Sequence, residues 1–384
     1  MEKKQLGQFF TTKSDYILKD LEKFVKNKEV VDPFVGSGDL MNWAKRNGAK
    51  STAGFDVDKK YVKGRNIFLN DSINNVKSYR FVLTNPPYLN INKANKETKE
   101  KYFRKYQFED LYQISLASIM DSKEGIVIVP INFLSAENSK KIRDLFFSKF
   151  KIVAMNYFKQ QVFPDTTYNV VSFYYRQKED IYDNNLVIKT SIYPEGKTTN
   201  IELQKKFHWS IGGSFLSVIK NQKNNLGIHR LTEKDVEEEK GSIRIKAAYN
   251  HVNEKLNVGI SSKLHRQIKS NILLLKAIDS GSDDGKIALE DIRTYDVDCL
   301  ISKPTSRNMI YLLSDEKWQL GEQKEIIKLF NSEINLLRDN YMSLFLTNFR
   351  DNDRKRISFN FVYKFINYLY NNKIKNGRVQ TLYS

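Results

Sequence analysis

Short apolar runs alternate with helical patterns through the first half of the chain. The runs read as buried strands are Glu29–Pro33, Ser51–Asp56, Tyr79–Thr84, Gly125–Pro130, Lys151–Asn156 and Asn169–Tyr175. Between them, apolar residues recur at helical spacing over about 15–27, 39–47, 108–121 and 136–149. This alternation predicts an α/β domain with a parallel sheet covered by helices on both faces.

The pattern changes after about residue 178. A polar break follows at 177–185, and the segments beyond it are irregular and rich in turn residues until a helical region that runs from about Leu320 to Tyr370, interrupted near Arg350–Ser358. We therefore expect two domains, residues 1–178 and residues 179–384, the second mixed in structure with a helical C-terminus.

The charge balance favours an acidic partner. Among 384 residues, 63 are Lys or Arg and 45 are Asp or Glu, which gives a net charge of +18 that both halves share. Nucleic acid is one such partner, and a solvated lysine-rich surface is the alternative interpretation. With 40% hydrophobic residues the chain can bury a full core, which excludes a disordered tail protein.

Other function classes lose support from what the sequence lacks. A single cysteine, Cys299, excludes an internal disulfide framework and a cysteine-based zinc site, and the four histidines show no metal-ligand spacing. No apolar run approaches the length of a membrane span, and the N-terminus has no apolar signal core. We expect a soluble, cytoplasmic protein that uses no metal and contacts no membrane.

A glycine-rich turn follows the first predicted strand. It reads Asp32-Pro-Phe-Val-Gly-Ser-Gly38, and its two glycines allow a ligand to approach the backbone closely. A dinucleotide fingerprint would have a third glycine where Met41 stands, so a nucleoside without phosphates fits better than a dinucleotide. Asp32 could attract an ammonium group. The alternative is a turn that only joins strand to helix.

Two further carboxylates end short strands. Asp56 lies twenty residues after Gly36, where a carboxylate can accept both ribose hydroxyls, and Asp71 could accept the exocyclic amine of adenine. Aspartate is common in turns, so each residue alone is weak evidence. Three in order at strand ends form a stronger pattern.

The most specific motif is Asn85-Pro-Pro-Tyr88, which follows the strand ending at Thr84. Two prolines stiffen this loop and remove two N–H donors, so the Asn85 side-chain oxygen and the Pro86 carbonyl remain as acceptors. A planar NH₂ group offers the two matching donors, and Tyr88 offers a face on which its ring could stack. The alternative is a turn that merely ends the strand.

Taken together, these motifs resemble the γ-type N6-adenine DNA methyltransferases, which depend on S-adenosylmethionine. The resemblance includes Leu6-Gly-Gln-Phe-Phe-Thr-Thr12, with Thr12 where the family usually has proline, and covers about residues 5–176. It implies a Rossmann-like S-adenosylmethionine-dependent methyltransferase domain followed by a target-recognition domain. In the γ order the cofactor motif precedes the catalytic motif, as it does here.

The resemblance also assigns residues. It implies a catalytic loop of Asn85, Pro86, Pro87 and Tyr88, with Tyr88 and Phe163, from Val162-Phe-Pro164, stacking on a flipped-out adenine. It implies S-adenosylmethionine contacts from Gln8, Phe9, Phe10, Thr11, Asp32, Pro33, Phe34, Gly36, Gly38, Asp56, Asp71 and Asn85.

The implied partners are duplex DNA and, functionally, a cognate restriction endonuclease of a type II restriction-modification system, with no stable complex required. Possible DNA contacts in the second half are Lys303, Ser306, Arg307, Arg350, Arg354 and Arg356. A helix break compensated by Asp351 and Asp353 is the alternative for the last three. We expect a prokaryotic or viral source and no fused nuclease domain.

Two alternatives share the same chemistry. An adenine-N6 methyltransferase of RNA and a glutamine-N5 methyltransferase of proteins both act on planar NH₂ groups. The Gly7–Thr12 motif, the Phe163-Pro164 pair and the long basic C-terminal region favour DNA. A cytosine-C5 enzyme is excluded because Cys299 lies far from the catalytic motif.

Overall fold

In a computed structural model of the chain, two compact units are present, and the structure describes residues 11–164, 168–180, 182–253, 255–282, 285–349 and 354–375. The first unit runs to Gly213 and includes a short segment that begins at Thr347. The second comprises Ser214–Leu346 and the residues from Arg354 onward. No helix among the described residues has the length and apolarity needed to cross a membrane.

A nine-stranded sheet forms the first unit. Its strands are β1 (Glu29–Asp32), β2 (Ser51–Asp56), β3 (Ile67–Leu69), β4 (Tyr79–Thr84), β5 (Ser122–Pro130), β6 (Phe150–Phe158), β7 (Val170–Gln177), β8 (Asn185–Tyr193) and β9 (Lys197–Gln204). Its helices are α1 (Ser14–Ile17), α2 (Asp39–Arg46), α3 (Lys96–Thr98), α4 (Arg104–Tyr106), α5 (Leu111–Ser118), α6 (Asn132–Ser135) and α7 (Lys140–Lys149).

The order of the strands, β3-β2-β1-β4-β5-β7-β6-β8-β9, makes the sheet mixed. The first five strands in this order, β3-β2-β1-β4-β5, pair in parallel, whereas β7 lies antiparallel between β5 and β6. The prediction of a parallel sheet is therefore wrong at β7, although the six predicted strands are present. The carboxyl ends of β1, β2 and β4 lie along one rim of the sheet, and α/β sheets bind ligands at such a rim.

Two details differ from the sequence-based prediction. The helix expected over 15–27 is only the four-residue α1 and a single 3₁₀ turn at Glu22–Phe24. The expected domain boundary at residue 178 falls between β7 and β8, which belong to the same sheet, because β8 pairs in parallel with β6. Strand β9 completes this sheet antiparallel to β8.

Helices in the second unit are α8 (Gly213–Lys220), α9 (Glu233–Glu238), α10 (Ser262–Ser270), α11 (Leu320–Asn340) and α12 (Phe359–Leu369). The remaining strands of the chain are β10 (His229–Arg230), β11 (Lys240–Tyr249), β12 (Lys255–Ile260), β13 (Leu273–Lys276), β14 (Ile278–Asp279), β15 (Ala288–Asp291), β16 (Cys299–Ile301), β17 (Met309–Leu313), β18 (Thr347–Asn348, in the segment assigned to the first unit) and β19 (Lys355–Arg356).

The second unit is mixed, as the sequence predicts. A four-stranded antiparallel sheet has the order β10-β17-β13-β15, and a three-stranded sheet has the order β12-β11-β16. One hydrophobic core joins them, since Leu274 and Tyr311 of the first sheet pack in the same cluster as Ile245 and Cys299 of the second. The helices α11 and α12 lie in the predicted C-terminal helical region.

The returning segment is attached to the first unit by Asn348, which is fully buried. Its backbone carbonyl accepts a hydrogen bond from Asn132 Nδ2 at 2.8 Å, and its side chain pairs reciprocally with the N–H and Oδ1 of Asn169 at 2.9 and 3.0 Å. Asn169 lies just before β7. This side chain therefore holds the loop that leads into the antiparallel strand.

We expect Asn348→Ala to lower the free energy of unfolding by about 1–3 kcal/mol, because two buried polar groups of Asn169 lose these hydrogen bonds. Urea denaturation measures this loss. Asn42→Ala is the matched control, since Asn42 is exposed on α2 and its substitution should change stability little. Equal effects of the two substitutions would contradict a structural role for Asn348.

Candidate active site

A pocket opens at the carboxyl ends of β1, β2 and β4. It is lined by Thr11, Asp32, Pro33, Phe34, Val35, Gly36, Ser37, Asp39, Leu40, Asp56, Val57, Asn70, Asp71, Ser72, Ile73, Asn85, Pro87, Tyr102 and Leu111. The lining combines apolar side chains with three aspartates that end strands or turns, an arrangement suited to a nucleoside-like molecule with both apolar and hydrogen-bonding parts.

Asp32 ends β1 and is 1% exposed. Its Oδ1 accepts hydrogen bonds from Thr84 Oγ1 at 2.7 Å and from the N–H of Phe34 at 3.0 Å. Burial raises the pKa of Asp32 to about 7, although both hydrogen bonds oppose that change and the nearby Asp56 adds to it. A cation placed beside this carboxylate would supply the counter-charge that the described surroundings lack.

The glycine turn joins β1 to α2. Gly38 caps the start of α2 with a φ of 85°, in the left-handed region that disfavours side chains. Gly54 of β2 lies under the turn, and a Cβ there would stand 2.7 Å from Met41 Sδ and 2.8 Å from Val35 Cγ2. Met41 therefore occupies the place of the absent third glycine, and Gly54 makes the room for it.

Asp56 ends β2 and is bonded to the turn itself. Its Oδ2 accepts the N–H of Gly36 at 2.9 Å, and its Oδ1 accepts the N–H of Asp58 at 2.8 Å. Burial raises the pKa of Asp56 above its usual value, and these two N–H donors oppose the rise. Each carboxylate oxygen keeps a further lone pair for a ligand.

Asp71 is more exposed to solvent than Asp56. Burial alone would raise its pKa, but hydrogen bonds from Asn74 and Lys101 outweigh burial and hold the pKa below the usual value. Lys101 Nζ lies 3.1 Å from Asp71 Oδ2, and Tyr102 donates to the same oxygen at 3.3 Å. Sequence reasoning missed both partners, because they lie on a helical insert that carries no motif.

Asn85 begins the loop after β4, and its carboxamide is buried. Nδ2 donates to Thr11 Oγ1 at 3.2 Å, and Oδ1 accepts from the Tyr88 hydroxyl at 2.5 Å. The backbone carbonyl of Ile128 lies 2.8 Å from the same hydroxyl and is the second acceptor within reach of its single proton. Thr11 thus fixes which side of the carboxamide carries the acceptor oxygen.

The loop is anchored to the start of α5. The N–H of Leu111 donates to the Leu89 carbonyl at 2.9 Å, and Asn90 Nδ2 donates to Asp110 Oδ1 at 3.1 Å. Asp110 also forms the capping box of α5 with Gln113. These contacts explain why a helix begins directly opposite the Asn85–Tyr88 loop.

The two aromatic residues expected to stack on a target base are both buried in this conformation. Tyr88 is 7% exposed and meets Tyr112 edge to face at 6.3 Å, while Phe163 is 1% exposed. Burial raises the pKa of the Tyr88 hydroxyl well above its usual value. Stacking of a base on either ring would require the present neighbours of that ring to give way.

Of the N-terminal motif, Thr11 lies in the pocket, whereas Gln8, Phe9 and Phe10 lie outside the described residues. Pro33, Phe34, Gly36 and Pro87 line the pocket as well. Gly38 belongs to the glycine turn and Pro86 to the Asn85–Tyr88 loop, but neither residue lines the pocket. Nowhere in the described ranges do three or more His, Cys, Asp or Glu side chains form a group that could hold a metal ion.

Among the residues expected to contact DNA, Arg350 lies outside the described residues. Arg307 is exposed, and Arg354 and Arg356 are partly buried in the second unit. Lys303 Nζ lies 5.1 Å from the ring centroid of Tyr249. Ser306 is different: it is buried, accepts the N–H of Lys303 at 2.8 Å and donates to Asn250, so its hydroxyl holds the loop.

Comparisons with known proteins find similarity in the part of the chain that contains this site. The family model described as Eco57I restriction-modification methylase matches residues 5–163. Residues 5–163 are therefore similar to the restriction-modification methylases of that family. The match spans the glycine turn, the three aspartates, the Asn85–Tyr88 loop and Phe163. No curated protein matches the chain at a significant level.

Among solved structures, the type IIL restriction-modification enzyme MmeI in complex with DNA aligns with a TM-score of 0.51 at 12% identity, over 93% of this chain and 66% of that one. The type IIG restriction endonuclease BpuSI aligns with a TM-score of 0.44 at 9% identity, over 89% of this chain and 56% of that one. A modification subunit of a putative type I restriction enzyme from Vibrio vulnificus YJ016 aligns with a TM-score of 0.39 at 16% identity, over 56% of this chain and 52% of that one. The chain thus spans about half to two thirds of these proteins' lengths. The first unit has the Rossmann-like fold of S-adenosylmethionine-dependent methyltransferases.

Proposed function

We propose that this chain transfers a methyl group from S-adenosylmethionine to N6 of an adenine that is flipped out of duplex DNA, as the modification activity of a type II restriction-modification system. The observation that carries the proposal is the position of Asn85. Its acceptor oxygen lies on a proline-stiffened loop that borders the pocket containing Asp32, Asp56 and Asp71. A site that acts on a planar amine needs such an acceptor beside a nucleoside-binding pocket.

The residues of the pocket fit the cofactor. Buried Asp32 would hold its ammonium group, Asp56 its ribose hydroxyls and Asp71 its adenine amine, while Phe34, Val35 and Leu40 supply apolar contact. When bound, S-adenosylmethionine supplies an electrophilic methyl group on a sulfonium. The net positive charge of the cofactor complements a pocket rich in carboxylates.

The Asn85–Tyr88 loop acts on the amine. The Asn85 oxygen and the Pro86 carbonyl accept the two N–H groups of N6, which draws the nitrogen lone pair out of conjugation with the ring and makes it nucleophilic. The amine nitrogen held by this loop would form the new N–C bond as the methyl–sulfur bond of the cofactor breaks, and it would then release one proton to solvent. Because both acceptors are fixed before the reaction, they stabilise the charge that develops on N6 without reorganisation.

The decisive experiment supplies labelled S-adenosylmethionine with duplex DNA, with RNA and with a glutamine-containing protein substrate. We expect transfer to duplex DNA and recovery of the label in N6-methyladenine after hydrolysis. Transfer to RNA alone, or to a glutamine side chain, would instead support the two alternative substrates. DNA from an expressing host, digested with methylation-sensitive nucleases, would then identify the modified sequence.

The burial of Asp32 predicts a pH dependence of cofactor binding. With a pKa of about 7, this carboxyl is protonated at lower pH, and only the ionised form attracts an ammonium group. The affinity should therefore rise as the pH increases through 7, by up to about tenfold per pH unit below it. Titration calorimetry across about pH 6 to 8 measures this change.

Asp32→Asn is the control for that titration, because it removes the titrating group and keeps the shape. It should bind more weakly at about pH 8 and show a flat profile. A wild-type affinity that does not vary over this range, or a variant with the same slope, would contradict the role of Asp32.

Roles beyond the pocket follow from the same proposal. The second unit would recognise the target, with Lys303, Arg307, Arg354 and Arg356 as DNA contacts and Ser306 supporting the loop. A cognate restriction endonuclease would cleave the unmodified sequence without a stable complex, and the protein would work on DNA in the cytoplasm.

A further inference from the structure

Three arginines that lie far apart in sequence converge on one groove of the second unit. Arg230 ends β10, Arg307 precedes β17 and Arg356 ends β19, and all three line the groove together with the start of α12. Only Arg307 and Arg356 carry a signal in the sequence. Arg230 is brought to them by the pairing of β10 with β17.

The described residues that line this groove include no acidic side chain. Neither Arg230 nor Arg307 forms an ion pair with a described carboxylate. Burial, and in second place the neighbouring Arg307, lower the pKa of Arg356. The positive side chains of Arg230 and Arg307, without a described carboxylate among the lining residues, favour an anion.

The arginines are also oriented. The Arg230 guanidinium lies over the ring of Phe359, 5.6 Å from its centroid, a cation–π contact that restrains its position. Arg307 donates to the backbone carbonyls of Pro304 and Ser306 at 2.6 and 2.8 Å, so its side chain lies along its own loop. A guanidinium group presents paired N–H donors, a geometry that matches two oxygens of a phosphate.

The start of α12 adds N–H donors to the same groove. Ser358 is the N-cap residue of this eleven-residue helix, yet its exposed side chain caps none of the first N–H groups. Phe359 and Asn360 of the first turn line the groove. A helix end of this kind favours negative charge, which here reinforces the arginines.

We infer that this groove binds a phosphodiester group of the DNA backbone and so sets the register of the second unit on its substrate. The inference rests on the proposed function, since DNA is the polyanion that the methylation site would use. A contact to a phosphate adds affinity without reading the base sequence. It would therefore position the target adenine, while other side chains select the site.

The test is a double variant, Arg230→Gln with Arg307→Gln, which keeps polar side chains and removes two charges. Fluorescence anisotropy with a labelled duplex at several salt concentrations should show about tenfold weaker binding and a salt slope reduced by about one. The loss should be equal for duplexes with and without the modified sequence. The KM for DNA in the methylation reaction should rise.

Arg266→Gln is the matched control, because Arg266 is an exposed arginine on α10 that lies outside the groove and bonds the Ser262 carbonyl of its own helix. It should leave the salt slope unchanged. An unchanged slope in the double variant, with folding confirmed by circular dichroism, would overturn the inference even if DNA is methylated. A loss of sequence discrimination would overturn it too, by showing contact with a base.

Two arms separate this inference from the proposed function. If the protein binds DNA through the groove but transfers no methyl group to it, the groove assignment stands and the proposed reaction fails. If it methylates DNA and the double variant binds as the wild type does, the reaction stands and the groove assignment fails. Tighter binding of RNA than of duplex DNA would overturn the assignment to DNA.

Discussion

Replacing Asn85 by alanine should reduce methyl transfer by about 10²–10³-fold or more, with cofactor affinity nearly unchanged. The loss is large because the Asn85 oxygen is fixed in advance: Thr11 holds the amide nitrogen at 3.2 Å, so the oxygen faces the other way. Its contribution grows only as N6 becomes nucleophilic. Single-turnover methylation gives the rate, and equilibrium titration gives the affinity.

Asn90→Ala is the matched control for this experiment. Asn90 lies in the same loop, where it bonds Asp110 and the N–H of Asn92 instead of lining the pocket. It should alter the rate far less than Asn85→Ala. Asn85→Asp keeps an acceptor oxygen and should fall between the two. Turnover close to wild type in Asn85→Ala would refute the catalytic assignment of the loop.

The sequence predicts the parallel part of the sheet well because each strand is a compact apolar run bounded by turn residues. β1, β2 and β4 lie where their patterns place them, and so their terminal residues share a rim. The antiparallel position of β7 could not be predicted, since strand order depends on long-range pairing and not on local pattern. β8 and β9 were missed for a related reason: β9, Lys197–Gln204, is largely polar and partly exposed.

In the candidate site, too, the residues that follow strands could be predicted and their long-range partners could not. Motif residues such as Asp32, Asp56 and Asn85 come together as predicted, because each follows a strand. Their partners do not form motifs: the Thr84 hydroxyl bonds Asp32, and Lys101 pairs with Asp71. Arg230 gave no signal at all. A lone arginine acquires meaning only when the fold places it beside others.

Phe163 is buried, so a test of base extrusion can decide whether its ring supports the flipped adenine or only packs in the core. If this ring supports the flipped adenine, Phe163→Leu should lower the methylation rate on a matched duplex about ten- to a hundredfold, since a stacking face contributes roughly 1–3 kcal/mol. Part of that loss should be recovered when the target adenine lies opposite a mismatch, because such a base costs less to unstack. Cofactor affinity should not change.

Phe158→Leu separates stacking from packing. Phe158 is fully buried at the end of β6, where it stacks on Tyr193 at 5.2 Å, so its replacement removes a core aromatic outside the pocket lining. That variant should lower the melting temperature and change the rates on matched and mismatched duplexes by the same factor. Phe163→Leu should differ from it in the ratio of the two rates, and 2-aminopurine fluorescence at the target position should report less extruded base. If both variants lose the same factor on both duplexes with no change in fluorescence, Phe163 is a core residue and the adenine is supported by other groups.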